Sequence, residues 1–264
     1  MHSDTGNEFD LSLRDEIRVV ALQSLGKTKA LDGRDSLLKL SIVIPVWNEI
    51  ASLDELICRV EQIGYPKEIL IIDDGSTDGS IKQVEKWAAH PEITALYHPR
   101  NLGKGAAIRT AVAKVTGDIV IIQDADLEYD PGEIERLIAP LLAKQADVVF
   151  GSRFLQSGQS ACNFQRRLAN RFLTWLSNRF TGLRLTDMET CYKAMRSDVL
   201  CSISIQENRF GVEPELTAKI ARGGWRVVEV PISYAPRDYI SGKKIGFRDG
   251  LRAIWCILRY SRWD

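Results

Sequence analysis

Four acidic side chains at two predicted strand ends raise the question of chemistry. Asp124 and Asp126 close the segment DIVIIQDAD (118–126), and Asp73 and Asp74 close EILIIDD (68–74). Two carboxylates at i and i+2 just past a strand can present hard oxygens to Mg2+ or Mn2+. Those ions prefer such ligands and accept phosphate oxygens in the rest of their shell. Short acidic turns are common, so the Asp-x-Asp spelling alone is weak; its place after an apolar run, beside a second acidic terminus, gives it weight. Glu128 is either a further ligand or a solvated turn acid before Asp130-Pro131. At Asp73 a carboxylate can accept hydrogen bonds from a nucleobase or ribose, while Ser76 or Asp78 reads as a helix cap. Asn101-Leu102-Gly103-Lys104-Gly105 opens a predicted helix. Glycines permit close backbone approach, a helix N-terminus favours anions, and Lys104 adds charge, so the segment suits a phosphate or nucleotide. It lacks the GxxxxGK[ST] spacing of a Walker A loop.

The elements that would position these groups follow from periodicity. LSIVIPV (40–46), EILIIDD (68–74), ITALYH (93–98), DIVIIQDAD (118–126) and DVVFGS (147–152) are short apolar runs rich in β-branched residues. They alternate with helical stretches at 50–62, 78–89, 103–115 and 131–143. This alternation predicts an α/β fold with a mostly parallel, doubly wound sheet. Ligands bind such sheets beyond the carboxyl ends of the strands. Asn48-Glu49, Asp73-Asp74, Asp124 to Asp126 and Ser152-Arg153 all fall there.

Residues 1–38 are polar and then weakly periodic, which predicts a peripheral helix and linker; 39–246 reads as one catalytic domain and 247–264 as a C-terminal amphipathic helix. The segment 165–180 sets Arg166, Arg167, Arg171 and Arg179 beside Leu168, Phe172, Trp175, Leu176 and Phe180. The segment 246–263 does the same with Arg248, Arg252, Arg259 and Arg262 beside Phe247, Leu251, Ile254, Trp255 and Leu258. Both suit helices with basic polar faces, which either meet a membrane surface or pack on the core. Glu213 and Glu215 fall on a predicted helix beside Val212 and Leu216; one acid faces the site, or both are solvated.

Composition bounds the rest. Across 264 residues, 35 basic side chains balance 35 acidic ones, so net charge points to no partner, and nucleic acid is not expected. The five scattered cysteines suggest neither a disulfide framework nor a zinc site and fit a reducing, cytoplasmic setting. MHSDTGNEFDLSLRDE has no basic stretch followed by an apolar core, so a signal peptide is not expected. No apolar run reaches the roughly 18–20 residues of a membrane span, so any membrane contact is expected to be peripheral, at the surface itself or through a membrane partner protein.

In order, SIVIPVWNE (41–49), IIDDGSTDGS (71–80), NLGKGAAI (101–108), QDADLEYDP (123–131) and GSRF (151–154) resemble the family 2 glycosyltransferases of GT-A fold. The likeness is closer to their polyprenyl-phosphate branch, typified by dolichyl-phosphate mannosyltransferase. It continues through LRLTDMETCYKAMRSDVL (183–200), RFGVEPELTAKIARGGWRVVEVPISYAPR (209–237) and SGKKIG (241–246).

The resemblance implies a metal-dependent inverting transferase that moves a hexose from a nucleotide diphosphate sugar to a polyprenyl phosphate. A saccharide or glycolipid hydroxyl is the other acceptor, and a non-catalytic nucleotide-sugar-binding subunit is the reading outside enzymology. By the same resemblance Pro45, Val46, Asn48 and Glu49 border the nucleotide and Asp73 reads the base. Asp124, Ala125 and Asp126 form the metal and donor motif, with Glu128 where some relatives place another ligand. Arg153 stands where relatives contact the acceptor phosphate. Arg237 and Lys243 or Lys244 close over the diphosphate, although the spacing Arg-Asp-Tyr-Ile-Ser-Gly-Lys-Lys differs from the family's R-x-x-G-x-S-K. A hydroxyl acceptor needs a carboxylate base, for which Asp187 and Glu189 are available; Asp187 is alternatively structural. A phosphate acceptor, already an anion, needs none.

Overall fold

A computed structural model of the chain describes residues 38–155, 164–236 and 247–262. The expected extension at 1–38 lies outside them apart from Leu38. Seven strands form one sheet: β1 (Leu40–Val46), β2 (Lys67–Asp73), β3 (Ile93–Tyr97), β4 (Ile119–Ile122), β5 (Val148–Ser152), β6 (Lys193–Arg196) and β7 (Val227–Pro231), in the order β3-β2-β1-β4-β6-β5-β7. The helices are α1 (Leu53–Glu61), α2 (Ser80–Trp87), α3 (Lys104–Val112), α4 (Ile134–Leu142), α5 (Phe164–Thr181), α6 (Ser197–Ser202), α7 (Val212–Arg222) and α8 (Phe247–Arg262).

The central strands are apolar on both faces because helices cover both. Ile42, Ile44, Ile69, Ile71 and Ile121 pack against Leu53, Leu56, Ile57 and Val60 of α1 and Ile134, Leu137 and Ile138 of α4. Val43, Leu70, Ile72, Val120, Ile122 and Phe150 pack on the opposite face against Ala107, Ile108 and Ala111 of α3 and Val212, Leu216 and Ile220 of α7.

β1 is flanked in parallel by β2 and β4, with Val46 opposite Asp73 and Val43 opposite Ile122. The two acidic termini therefore rise on either side of the same central strand. β4 ends at Ile122, short of the predicted 118–126, which leaves Gln123 to Asp126 as a turn beyond the sheet edge. β6, unannounced by the sequence pattern, runs antiparallel to both β4 and β5. It has only four residues, too few for a clear period. β7, with Glu229 among valines, was also not predicted; it pairs in parallel with β5.

The C-terminal half of the molecule is closed by α5, α7 and α8. Ala253, Cys256, Ile257 and Tyr260 bury one face of α8. Glu207 ties that helix down, accepting from Arg252 Nε at 3.0 Å, Arg252 Nη2 at 2.7 Å and Tyr260 Oη at 2.9 Å. Among the described residues no helix is long and apolar enough to cross a membrane.

Candidate active site

The adjacent acids Asp73 and Asp74 have separate tasks. Asp73 is wholly buried; its Oδ2 accepts from the Ser76 amide at 3.1 Å, while its Oδ1 has no hydrogen-bond partner among the described residues. A buried acceptor left unpaired costs about 1–3 kcal/mol, so this oxygen is suited to a ligand's donor. Asp74 instead anchors the glycine loop. It accepts from the Leu102 amide at 2.9 Å, the Gly103 amide at 2.7 Å and His98 Nδ1 at 2.6 Å, and His98 Nε2 meets Thr110 Oγ1 at 2.9 Å.

That arrangement withdraws the Leu102 and Gly103 amides of the 101–105 segment from any anion. The first turn of α3 lies under the 204–211 segment, where the Ala106 amide donates to the Asn208 carbonyl at 3.0 Å. Gly103 has φ +104°, and a Cβ there would run into the Asn208 carbonyl oxygen. Lys104 points inward, 2.6 Å from Asp124 Oδ1 and 3.2 Å from Glu213 Oε1.

The segment after β1 is laced to the loop after β2. Asn48, at φ +56°, donates its amide to Ser76 Oγ at 3.0 Å and accepts from the Thr77 amide at 2.8 Å. The Glu49 amide donates to Ser80 Oγ at 2.9 Å. Ser76 is thus a latch; the N-cap of α2 is Gly79, without a side-chain cap bond, and Asp78 Oδ1, one residue before it, accepts from the Ser80 amide at 2.9 Å. These bonds hold the Asn48-Glu49 segment against the loop that follows Asp73.

On the other side of β1, Asp124 and Asp126 are part-exposed with Ala125 buried between them. Asp126 Oδ1 accepts from the Glu128 amide at 3.1 Å across Leu127, which has φ +57°. Glu128 is not a solvated turn acid. It is buried, its Oε2 accepts from Tyr234 Oη at 2.8 Å and its carbonyl from the Ala235 amide at 3.0 Å. It thereby joins the acidic turn to the segment leading to residue 237. Among the described residues no three His, Cys, Asp or Glu side chains converge to hold a metal. Two hard carboxylates at an open sheet edge still fit Mg2+, which is usually held by one or two carboxylates with waters and substrate phosphates. Arg237, Lys243 and Lys244 lie outside the described residues.

Arg153, just past β5, is committed to Asp187. Its Nε and Nη2 each donate to the carboxylate at 2.7 Å and its amide donates at 3.1 Å; Asn170 Nδ2 adds a bond at 2.9 Å. Burial pushes the Asp187 carboxyl up, but the Arg153 charge and these hydrogen bonds outweigh it and hold it below the usual carboxylate range. A carboxylate so stabilised is a poor proton acceptor, and its two-point contact fixes the direction of the Arg153 guanidinium. Arg153 Nη1 has no hydrogen-bond partner among the described residues, and the guanidinium lies 5.2 Å from the Tyr234 ring centroid. Glu189 is the contrasting acid. Burial and the nearby Glu213 raise its carboxyl to about 7, and its Oε1 has no hydrogen-bond partner among the described residues.

The solvated-face reading of Glu213 and Glu215 is overturned, since both are buried. Glu213 is shared by Lys104 and the fully buried Lys193. Burial raises its carboxyl, and the two ammonium groups more than reverse that. Glu215 accepts from the Gln206 amide at 2.7 Å, the Glu207 amide at 2.8 Å and Lys219 Nζ at 2.9 Å. Lys193 was missed altogether. The only available signal was a lysine between Tyr192 and the apolar pair Ala194-Met195.

With this geometry in view, comparison with known proteins is informative. Residues 41–203 match glycosyl transferase family 2. An undecaprenyl-phosphate 4-deoxy-4-formamido-L-arabinose transferase of Sodalis glossinidius (strain morsitans) is 35% identical over 211 residues, 78% of this chain and 62% of that protein. The chain thus spans less than two thirds of that relative's length. A glucosyl-3-phosphoglycerate synthase of Mycobacterium tuberculosis, solved with Mn2+, UDP and phosphoglyceric acid, superposes with a TM-score of 0.67 at 19% identity, covering 93% of this chain and 82% of that one. A mannosyltransferase of Pyrobaculum calidifontis, solved with GDP-mannose and Mn2+, gives 0.55 at 20% identity over 84% of this chain and 65% of its own. At such identities the structures speak for the fold, which is GT-A. From the sequence match, carried on the strands that bring Asp73, Asp124 and Asp126 to one sheet edge, the chain belongs to glycosyl transferase family 2.

Proposed function

We propose that this chain transfers a sugar from a nucleotide diphosphate sugar to a polyprenyl phosphate, with inversion, at the cytoplasmic face of a membrane. The observation that carries the reading is the pairing of Asp73, with its unpartnered buried oxygen, and the Asp124 to Asp126 turn on opposite sides of β1. The Sodalis relative, named for an undecaprenyl-phosphate acceptor, supports the acceptor class.

In this reading Asp73 Oδ1 accepts a hydrogen bond from the donor's base or ribose, and the family resemblance assigns Pro45, Val46, Asn48 and Glu49 to the border of the same nucleotide. Asp124 and Asp126, with Glu128 bracing their turn, would hold Mg2+ or Mn2+. That ion supplies, when bound, stabilisation of the negative charge that grows on the departing diphosphate. The family resemblance assigns Arg237 with Lys243 or Lys244 to the same diphosphate. Arg153, held by Asp187, presents Nη1 to the acceptor phosphate. A phosphomonoester's second pKa is about 6, so the nucleophile arrives largely as a dianion and needs orientation rather than a strong base.

One observation favours a hydroxyl acceptor instead: Glu189, with its carboxyl near 7, is matched to general-base work. Labelled UDP- and GDP-sugars offered with undecaprenyl phosphate and, separately, with saccharide and glycolipid acceptors, with and without EDTA, test the proposal. Metal-dependent transfer to the lipid phosphate supports it. Transfer only to saccharide hydroxyls, abolished in Glu189→Gln, would put the second reading in its place, and no transfer to either would sink both.

A further inference from the structure

Lys104 stands where a counterion to a metal ligand would stand. Its side chain is 9% exposed and its ammonium lies 2.6 Å from Asp124 Oδ1. A buried ammonium must keep anionic partners, and Lys104 has two, Asp124 and Glu213. Glu213 is already shared with Lys193, which is fully buried and carries no other carboxylate partner among the described residues. These four side chains form a chain of two cations and two anions: Asp124, Lys104, Glu213, Lys193.

We infer that Lys104 is a built-in counterion of Asp124, which makes divalent-metal binding conditional on a diphosphate that draws the ammonium away. A metal ion arriving alone competes with Lys104 for the same carboxylate and faces its charge at close range, where like charges repel strongly in a partly dry site. Lys104 cannot retreat wholly onto Glu213 without crowding Lys193. A diphosphate removes the conflict by supplying new oxygens for both cations. Lys104 then acts on the leaving group's charge, having arrived through Asp124 rather than through the closed helix terminus. Asp74 supports this role by fixing the 102–103 backbone from which Lys104 projects.

The inference rests on the metal reading above, and the test separates the two. Mn2+ binding to the full chain is followed by electron paramagnetic resonance of free Mn2+, with MnCl2 alone and with UDP or GDP added. The wild-type chain is expected to take up Mn2+ weakly alone and more tightly with nucleotide. Lys104→Met should bind Mn2+ alone about tenfold more tightly than wild type, a typical coupling between linked sites, and lose most of the nucleotide's enhancement. Lys104→Arg keeps the cation and should remain wild-type-like. Adding Asp124→Asn to Lys104→Met should remove the gain. If Lys104→Met, folded by near-ultraviolet circular dichroism, binds Mn2+ alone no better than wild type while nucleotide-dependent binding persists, the inference alone is overturned. A gain that survives Asp124→Asn overturns it too. No Mn2+ uptake by any variant under any condition removes the metal reading and the inference together.

Discussion

The Arg153 guanidinium and the Asp187 carboxylate lie edge to edge, Nε to Oδ2 and Nη2 to Oδ1 both at 2.7 Å, with the Asp187 side chain wholly buried. Planar two-point pairing fixes the direction of the arginine as well as its charge. Removing one partner of a buried pair typically costs 3–5 kcal/mol, roughly, because the other is left uncompensated. Asp187→Ala is therefore expected to lower the urea midpoint strongly. Arg153→Lys, which keeps the charge and loses the fork, should raise KM for the acceptor more than KM for the donor. The pH dependence has a definite sign. The folded Asp187 carboxyl sits below its unfolded value, so its stabilisation is present above the unfolded pKa, about 4, and is lost as pH falls through the folded one. Unfolding midpoints between pH 5 and pH 3 that fall no faster in wild type than in a folded Asp187→Asn chain would contradict this.

Glu189 behaves oppositely. Its folded carboxyl is raised to about 7 by burial and by Glu213. Between the unfolded value, about 4.3, and 7, the folded chain holds a proton that the unfolded chain has lost. Stability then falls as pH rises through that window and levels off above it. Glu189→Gln should remove this slope and leave the chain more stable than wild type at pH 8. Calorimetric melting at pH 5, 6, 7 and 8 reads the difference, and parallel profiles for the two chains would refute the assignment.

Most of the fold up to Ser152 was legible because β1, β2, β4 and β5 are buried on both faces and so spelled as unbroken apolar runs. The acids that matter were legible by position alone, at the ends of those runs. What the sequence hid was partnership. Nothing local distinguishes Asp73, with an unpartnered buried oxygen, from Asp74, which holds the Leu102 and Gly103 amides; the difference lies in a loop 28 or 29 residues away. Glu213 and Glu215 looked like a solvated face because their cationic and amide partners, Lys104, Lys193 and the 206–207 backbone, come from other elements. Asp187 reads in the sequence equally as a base or a structural acid, because its partner Arg153 comes from just past the end of β5.

The closeness of α3 to the 204–212 segment makes a packing prediction. A Cβ at Gly105 would run into the Glu207 carbonyl oxygen and come within 3.1 Å of Val212 Cβ. Backbone cannot yield as a flexible side chain can, so Gly105→Ala should cost about 1–3 kcal/mol, the usual penalty of overpacking. It should also weaken nucleotide binding by shifting Lys104. Gly64→Ala, with nothing within 4 Å of the added methyl, is the control and should change stability little. Thermal unfolding with and without UDP or GDP checks both; equal melting temperatures for the two variants would count against the close contact.

The last prediction concerns the surface left by α5 and α8. Their inner faces are already used: Thr174 and Ser177 of α5 are buried, as are Ala253, Cys256, Ile257 and Tyr260 of α8. Core packing therefore accounts for part of each helix only. The outer faces still expose Leu168, Phe172 and Trp175 on α5 and Leu251, Trp255 and Leu258 on α8, with Trp175 at 60% and Leu251 at 53%. The Phe172 and Trp175 ring centroids lie 6.0 Å apart, and contiguous exposed apolar groups mark interaction sites. Arg259 lies 5.2 Å from the Trp255 ring centroid, which puts a cationic group beside the apolar ones, while Arg252, 4.0 Å from the same ring, is paired with Glu207. Aromatic bodies with a basic rim suit the interface of an anionic bilayer, where each nearby arginine adds about 1 kcal/mol of attraction. A polyprenyl phosphate stays in the bilayer, since each buried CH2 is worth roughly 0.8 kcal/mol, so a transferase acting on it must come to the surface. The wild-type chain is expected to float with anionic liposomes at low salt and less so at high salt. Trp175→Glu and Leu251→Glu should each reduce flotation while leaving the melting temperature nearly unchanged, because neither side chain is in the core. Flotation unaffected by both substitutions would show that these faces do not touch the membrane, and a large fall in melting temperature would return them to the core.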